Sequence, residues 1–124
     1  MKEFFSTNRK KAAECLPDNS VLILFAGSEP VNFYYLTGIQ SPGIMFVLYK
    51  HGGKVKETLY LERYDEKKAK WVGAPLSADE AEQISGIKEH KNTDEFESDV
   101  AALLFACSPD VWFDLDTREF GAPL

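Results

Sequence analysis

Val21-Leu22-Ile23-Leu24-Phe25 is an unbroken apolar run between the turn residues Pro17-Asp18-Asn19-Ser20 and Ala26-Gly27-Ser28-Glu29-Pro30. A strand with one wet face alternates apolar and polar residues. A short run without alternation belongs to a strand covered on both faces. The run therefore predicts a central strand with helices packed against its sheet, which makes the domain α/β. Upstream, residues 2–16 read as an amphipathic helix. Phe5, Ala12, Cys15 and Leu16 fall near its apolar face and Arg9, Lys10 and Glu14 near its polar face. Pro17 and the residue before it resist helix and stop it there.

Downstream, Asn32-Phe33-Tyr34-Tyr35-Leu36 puts three aromatics in a row before Thr37-Gly38-Ile39. Aromatics suit a pleated surface, so this segment reads as a strand with rings on both faces, closed by a turn at Thr37-Gly38. Ile44–Tyr49 and Val55–Leu61 read as two strands of a hairpin joined through Lys50-His51-Gly52-Gly53-Lys54. The Gly-Gly-Lys there lacks phosphate-loop spacing and a following helix. Asp65–Lys70 reads as a short polar helix. Ser77-Ala78-Asp79-Glu80 is a capping box opening a helix through Ile84, with Gly86 as its left-handed end. Ile87–His90 reads as a short extended piece. Asn92–Ala106 follows as a helix with Phe96, Val100, Leu103, Leu104 and Cys107 on one stripe. Pro109-Asp110 breaks it, and Val111-Trp112-Phe113 starts a last strand.

At 124 residues the chain suits one domain, and its 44% hydrophobic and 27% charged content is that of a globular protein. The formal net charge of −6, with Lys and Arg interspersed among acids, argues against a nucleic-acid partner. No apolar run approaches the ~20 residues of a membrane span, and no signal peptide is evident, so a cytoplasmic location is expected. Cys15 and Cys107 have neither metal nor redox spacing and read as reduced core residues. His51 and His90 read as solvated surface residues.

Several of these segments, in order, resemble a known family. The aromatic element Phe33-Tyr34-Tyr35-Leu36-Thr37-Gly38 is similar to one in the N-terminal domain of Xaa-Pro aminopeptidases, prolidases and creatinases, the pita-bread metallopeptidases. Leu16 to Ser20, Phe25-Ala26-Gly27-Ser28-Glu29-Pro30, Leu59-Tyr60-Leu61-Glu62-Arg63, Trp71-Val72-Gly73 and Ser77 to Gly86 extend the resemblance over nearly the whole chain. It implies a single domain over residues 1–124, a mixed central sheet flanked by helices with a ribonuclease-H-like motif. It implies a non-catalytic role: packing on a catalytic domain, mediating subunit contacts in a homo-oligomer, and shaping access for a peptide with proline in the second position. No cofactor is expected in this chain. The two divalent ions of Mn type that the resemblance implies belong to a C-terminal catalytic pita-bread domain, expected to be absent from this chain. Trp71 is implied to line the substrate pocket as a flat apolar wall for a proline ring; packing over Gly73 and Pro75 is the structural alternative. Tyr34 and Tyr35 read as structural, and Trp112 and Phe113 as core or domain-interface residues.

The family has a longer stretch before the aromatic element, whereas here Val31 runs directly into Asn32. Either the loop is lost here or the sequence omits it; the second is favoured, because a strand turning back across a sheet edge needs a longer connection, and a break in the chain between Val31 and Asn32 would mark it. Two other functions fit the residues. A stand-alone binding module of the same fold is one. The other is a divalent-metal-dependent ribonuclease-H-like enzyme using Asp114 and Asp116, which a period of two places on one strand face; against it, strand-end aspartates commonly cap a following helix.

Overall fold

The computed structural model describes residues 2–26, 31–39, 43–62 and 76–113. Among these, helix α1 (Lys2–Cys15) leads into strand β1 (Ser20–Phe25), helix α2 (Val31–Thr37) and the hairpin β2 (Met45–His51) and β3 (Lys54–Leu61). Helix α3 (Ala78–Ser85), strand β4 (His90–Asn92), a 3-10 turn over Thr93–Glu95, helix α4 (Phe96–Cys107) and strand β5 (Asp110–Phe113) follow. The strands form one mixed sheet in the order β4-β3-β2-β1-β5. β1 pairs antiparallel with β2 and β2 with β3, while β5 runs parallel to β1 and β4 parallel to β3.

The run that predicted a doubly covered strand occupies that position. Val21 and Ile23 face one side with Val47 and Tyr60, where Phe96, Val100 and Leu103 of α4 pack. Leu24 faces the other side with Phe46, Leu48 and Leu59, beneath Phe33 and Leu36 of α2 and Ala81 of α3. The hairpin turns through Gly52 and Gly53 at φ 61° and 77°, the doubly positive geometry of the tight turn whose twist matches the strands. Ser77 caps α3 as expected: its hydroxyl accepts from the Glu80 amide at 3.2 Å, and the Glu80 carboxylate accepts from the Ser77 amide at 3.3 Å. Gly86 closes the helix at φ 80°.

Five expectations are corrected here. The aromatic segment is a helix, not a strand. Phe33, Leu36 and Thr37 are buried at spacings of three and four, while Tyr34 and Tyr35 face out; a strand would have put Phe33 and Tyr35 on the same face. Because α2 itself carries the chain from β1 towards β2 and runs unbroken through Val31 and Asn32, the expected break does not occur. Arg9 lies inside, not on the polar face: the buried residues of α1 are Phe5, Asn8, Arg9 and Ala13. Both cysteines are free thiols, but Cys15 is exposed and Cys107 half-buried, so neither is a core residue. Leu104 falls on the outer flank of α4, exposed, because the inward stripe there is occupied by Val100 and Leu103. The polar helix proposed over Asp65–Lys70 lies outside the described residues.

Candidate functional site

Three helices meet the sheet around one cation. Arg9, 2% exposed, reaches from α1 between α2, α3 and β3. Its Nη1 donates to the carbonyl oxygens of Leu36 at 2.9 Å and Ser85 at 2.8 Å. Its Nε donates to Glu57 Oε2 at 2.7 Å. The Leu36 and Ser85 carbonyls belong to the last turns of α2 and α3, where helical carbonyls lack intrahelical partners and the helix dipole favours a cation. Beside it, Asn8 Nδ2 donates to the Tyr35 carbonyl at 2.8 Å. Lys50 performs the same service for α1, its Nζ donating at 2.9 Å to both the Ala13 and Leu16 carbonyls.

The two helix ends that Arg9 joins are built alike. In Leu36-Thr37-Gly38-Ile39, the Thr37 hydroxyl donates to the Phe33 carbonyl at 2.7 Å and accepts from the Ile39 amide at 3.2 Å. In Ile84-Ser85-Gly86-Ile87, the Ser85 hydroxyl donates to the Ala81 carbonyl at 2.7 Å and accepts from the Ile87 amide at 3.1 Å. Both glycines take positive φ, 74° and 80°. At Gly38 the demand is double, since a Cβ would drive into the Phe5 ring. The sequence carried a signal for each missed feature. Thr37-Gly38-Ile39 repeats Ser85-Gly86-Ile87, which does read as a helix end. Arg9 stands four residues from both Phe5 and Ala13, on the apolar stripe itself.

Anchored this way, α1 and α2 present an aromatic face. Phe4 lies edge-to-face with Tyr35 at 6.4 Å between ring centroids, Phe5 with Tyr34 at 5.8 Å, and Phe4 with Phe5 at 5.3 Å. Such pairs hold the rings at fixed angles while Phe4, Tyr34 and Tyr35 stay exposed. Across the sheet, Asp99 of α4 accepts from Tyr60 at 3.0 Å and Lys91 at 2.9 Å. The Lys91 bond holds the Asp99 carboxyl below its usual range, and Asp99 in turn holds Lys91 up. Burial, then Asp99, pushes the Tyr60 hydroxyl up. Hydrogen bonding with Cys107 and partial burial raise Tyr49 to about 12.

These networks bind elements together and expose no activated nucleophile. Among the described residues no group of three or more His, Cys, Asp and Glu side chains is placed to hold a metal ion, so the donor set of a two-metal centre does not fit here. His51 is exposed and stacks on Tyr49 at 5.9 Å. His90, expected to be solvated, is half-buried, because β4 sets it in the sheet; its Nε2 is buried with no partner among the described residues. It lines a 450 Å³ cleft with Glu62, Ser77 and Glu95. Trp112 is exposed on the β5 edge rather than in the core. Trp71, Asp114 and Asp116 lie outside the described residues, as does the Phe113 side chain.

The aminopeptidase P N-terminal domain model matches residues 29–112. The chain belongs to that family. It is 39% identical to the structure of a putative aminopeptidase P from Bacillus anthracis, with a TM-score of 0.88 over 99% of this chain and 33% of that one. It is 22% identical to zinc-substituted Escherichia coli aminopeptidase P in complex with product, at a TM-score of 0.75 over 84% of this chain and 27% of that one, a likeness of fold. Among curated proteins it is 31% identical over 101 residues to Xaa-Pro aminopeptidase 3 of Dictyostelium discoideum, covering 70% of this chain and 19% of that protein. The chain thus spans about a fifth of such a relative and a third of the Bacillus structure. The mixed five-stranded sheet with flanking helices is the fold of that domain. No helix among the described residues is long and apolar enough to cross a membrane.

Proposed function

We propose that the chain is the non-catalytic N-terminal domain of a cytoplasmic Xaa-Pro aminopeptidase-type metallopeptidase. In this reading it packs on the catalytic domain, contributes to subunit contacts and narrows access so that peptides with proline in the second position are favoured. The observation that carries the reading is the match to the Bacillus anthracis aminopeptidase P structure over 99% of this chain. The described residues fit a scaffold: their strongest polar groups, Arg9, Lys50 and Asn8, are consumed in joining helix ends to the sheet. The divalent ions, and the hydrolysis they support, are assigned to the domain that follows. Within this reading Trp71 supplies an apolar wall against the proline ring.

The test is hydrolysis of Xaa-Pro peptides by the full-length protein loaded with Mn²⁺, beside the 124-residue chain alone. Turnover by the former and none by the latter is the expected result. Turnover by the isolated chain, or a full-length protein that ignores Xaa-Pro peptides, overturns the reading. For the pocket, Trp71→Ala in the full-length enzyme is expected to raise KM or lower kcat for Xaa-Pro peptides with thermal stability retained. Unchanged kinetics would return Trp71 to a packing role over Gly73 and Pro75.

A further inference from the structure

Between α1 and the β2–β3 hairpin lies an open cleft of 360 Å³ in which charges of both signs stand close without neutralising one another. Ser6, Lys10 and Glu14 line it from α1, and Lys50, Val55 and Glu57 from the hairpin. In the sheet register Lys50 stands opposite Val55, and Leu48 opposite Glu57. Lys50 and Glu57 are therefore diagonal neighbours on the face that α1 covers, with Cα atoms ~7–8 Å apart. Two opposite charges so placed would ordinarily close on each other, but here each is tied elsewhere. The Ala13 and Leu16 carbonyls hold Lys50 Nζ, and Arg9 Nε holds Glu57 Oε2. Among the described residues no ion pair joins Lys50 to Glu57. An ammonium has three donors and a carboxylate two oxygens, so one N–H of Lys50 and Oε1 of Glu57 keep unused capacity. Lys10 and Glu14, both exposed, have no ion-pair partner among the described residues either. Val55, 45% exposed, gives the cleft an apolar flank.

We propose that this cleft binds a small zwitterion, an α-amino acid with an apolar side chain. Its carboxylate lies on Lys50 and Lys10, its ammonium on Glu57 and Glu14, and its side chain on Val55. The mixture of signs selects the class. A ligand that is only anionic would meet Glu14 and Glu57, and one that is only cationic would meet Lys10 and Lys50, each facing like charge. An amino acid answers both signs within one molecule. The fold also prepares the site: Lys50 and Glu57 are already immobilised by the α1 end and by Arg9, so binding has only Lys10 and Glu14 left to order. Small-molecule sites commonly enclose ~300–1,000 Å³, and the cleft is at the lower end of that range, as suits so small a ligand.

Photolabelling decides it. The full-length protein is irradiated with subsaturating photo-leucine, an amino acid whose side chain carries a diazirine, then digested for mass spectrometry. Label is expected on α1 within residues 6–14 or on the hairpin within residues 50–57. Excess leucine should displace it, and N-acetyl-leucine amide, which lacks both charges, should not. Glu57→Gln is expected to lower this label roughly tenfold, the worth of one charge-assisted hydrogen bond. The double variant Lys10→Met with Glu14→Gln alters only exposed side chains, so its fold is retained, and its label should fall as well. Label absent from both segments overturns the inference, as does label that leucine fails to displace. Label undiminished in both variants, with far-UV circular dichroism showing them folded, overturns it too. Xaa-Pro hydrolysis plays no part in the readout, so this inference and the peptidase reading fail separately.

Discussion

Replacing Arg9 with methionine keeps a long side chain in the centre of the helical layer and removes every hydrogen bond it donates there. Two carbonyls, Leu36 and Ser85, lose a charged donor in surroundings where both residues are buried. A buried acceptor left unsatisfied costs ~1–3 kcal/mol. Glu57 is 29% exposed, so its carboxylate turns to water and the lost ion pair adds at most ~1 kcal/mol. Some packing by the methionine offsets part of the loss. Arg9→Met is therefore expected to destabilise the domain by about 3 kcal/mol, near the lower end for breaking one side of a buried pair. Urea unfolding followed by far-UV circular dichroism measures this as a lower midpoint at unchanged slope. Arg9→Lys keeps the charge but not the fork, and an intermediate loss of ~1–2 kcal/mol is expected. Glu57→Gln is expected to cost less than ~1 kcal/mol. If Arg9→Met costs under ~1 kcal/mol, the view of Arg9 as the clasp of the α2 and α3 ends is wrong. If Glu57→Gln costs as much as Arg9→Met, the ion pair rather than the carbonyls holds the layer.

Three further outcomes follow from the same layer and the opposite face. Gly38→Ala and Gly86→Ala both meet positive φ, costing ~1 kcal/mol each, but only at Gly38 does the methyl strike the Phe5 ring, so that variant should lose at least ~1 kcal/mol more; equal midpoints in urea would mean the ring gives way. Thr37→Val and Ser85→Ala each remove a hydroxyl that bonds twice at a buried helix end, with an expected loss of ~1–2 kcal/mol read from thermal unfolding; a neutral result at both would dismiss the shared motif as decoration. Asp99 has a lowered pKa, so its pairing with Lys91 stabilises the fold above the unfolded carboxylate pKa and is lost as pH falls through the folded value. The stability gap between wild type and Asp99→Asn, small because the pair is about one-third exposed, should therefore close on acidification. A gap constant from pH 7 to pH 2 would contradict that assignment.

Local chemistry wrote much of this fold into the sequence. The Ser77–Glu80 capping box, the Gly86 helix end and the Gly52–Gly53 turn depend on groups within a few residues, so their readings survive intact. The doubly apolar Val21–Phe25 run implied its own cover, and the cover is there. At the site the balance reverses. No periodicity in a seven-residue aromatic stretch separates helix from strand. What decides for helix is the place that Phe33 and Leu36 find beneath α1 and α3, with Tyr34 and Tyr35 left outside. Arg9 obeys the same rule: its spacing from Phe5 and Ala13 puts it on the apolar stripe, but a guanidinium is tolerated inside only where acceptors converge on it, and those acceptors come from residues 27, 48 and 76 positions away in sequence. A chain read in order can show which groups are polar, but only the packed molecule shows which of them have met.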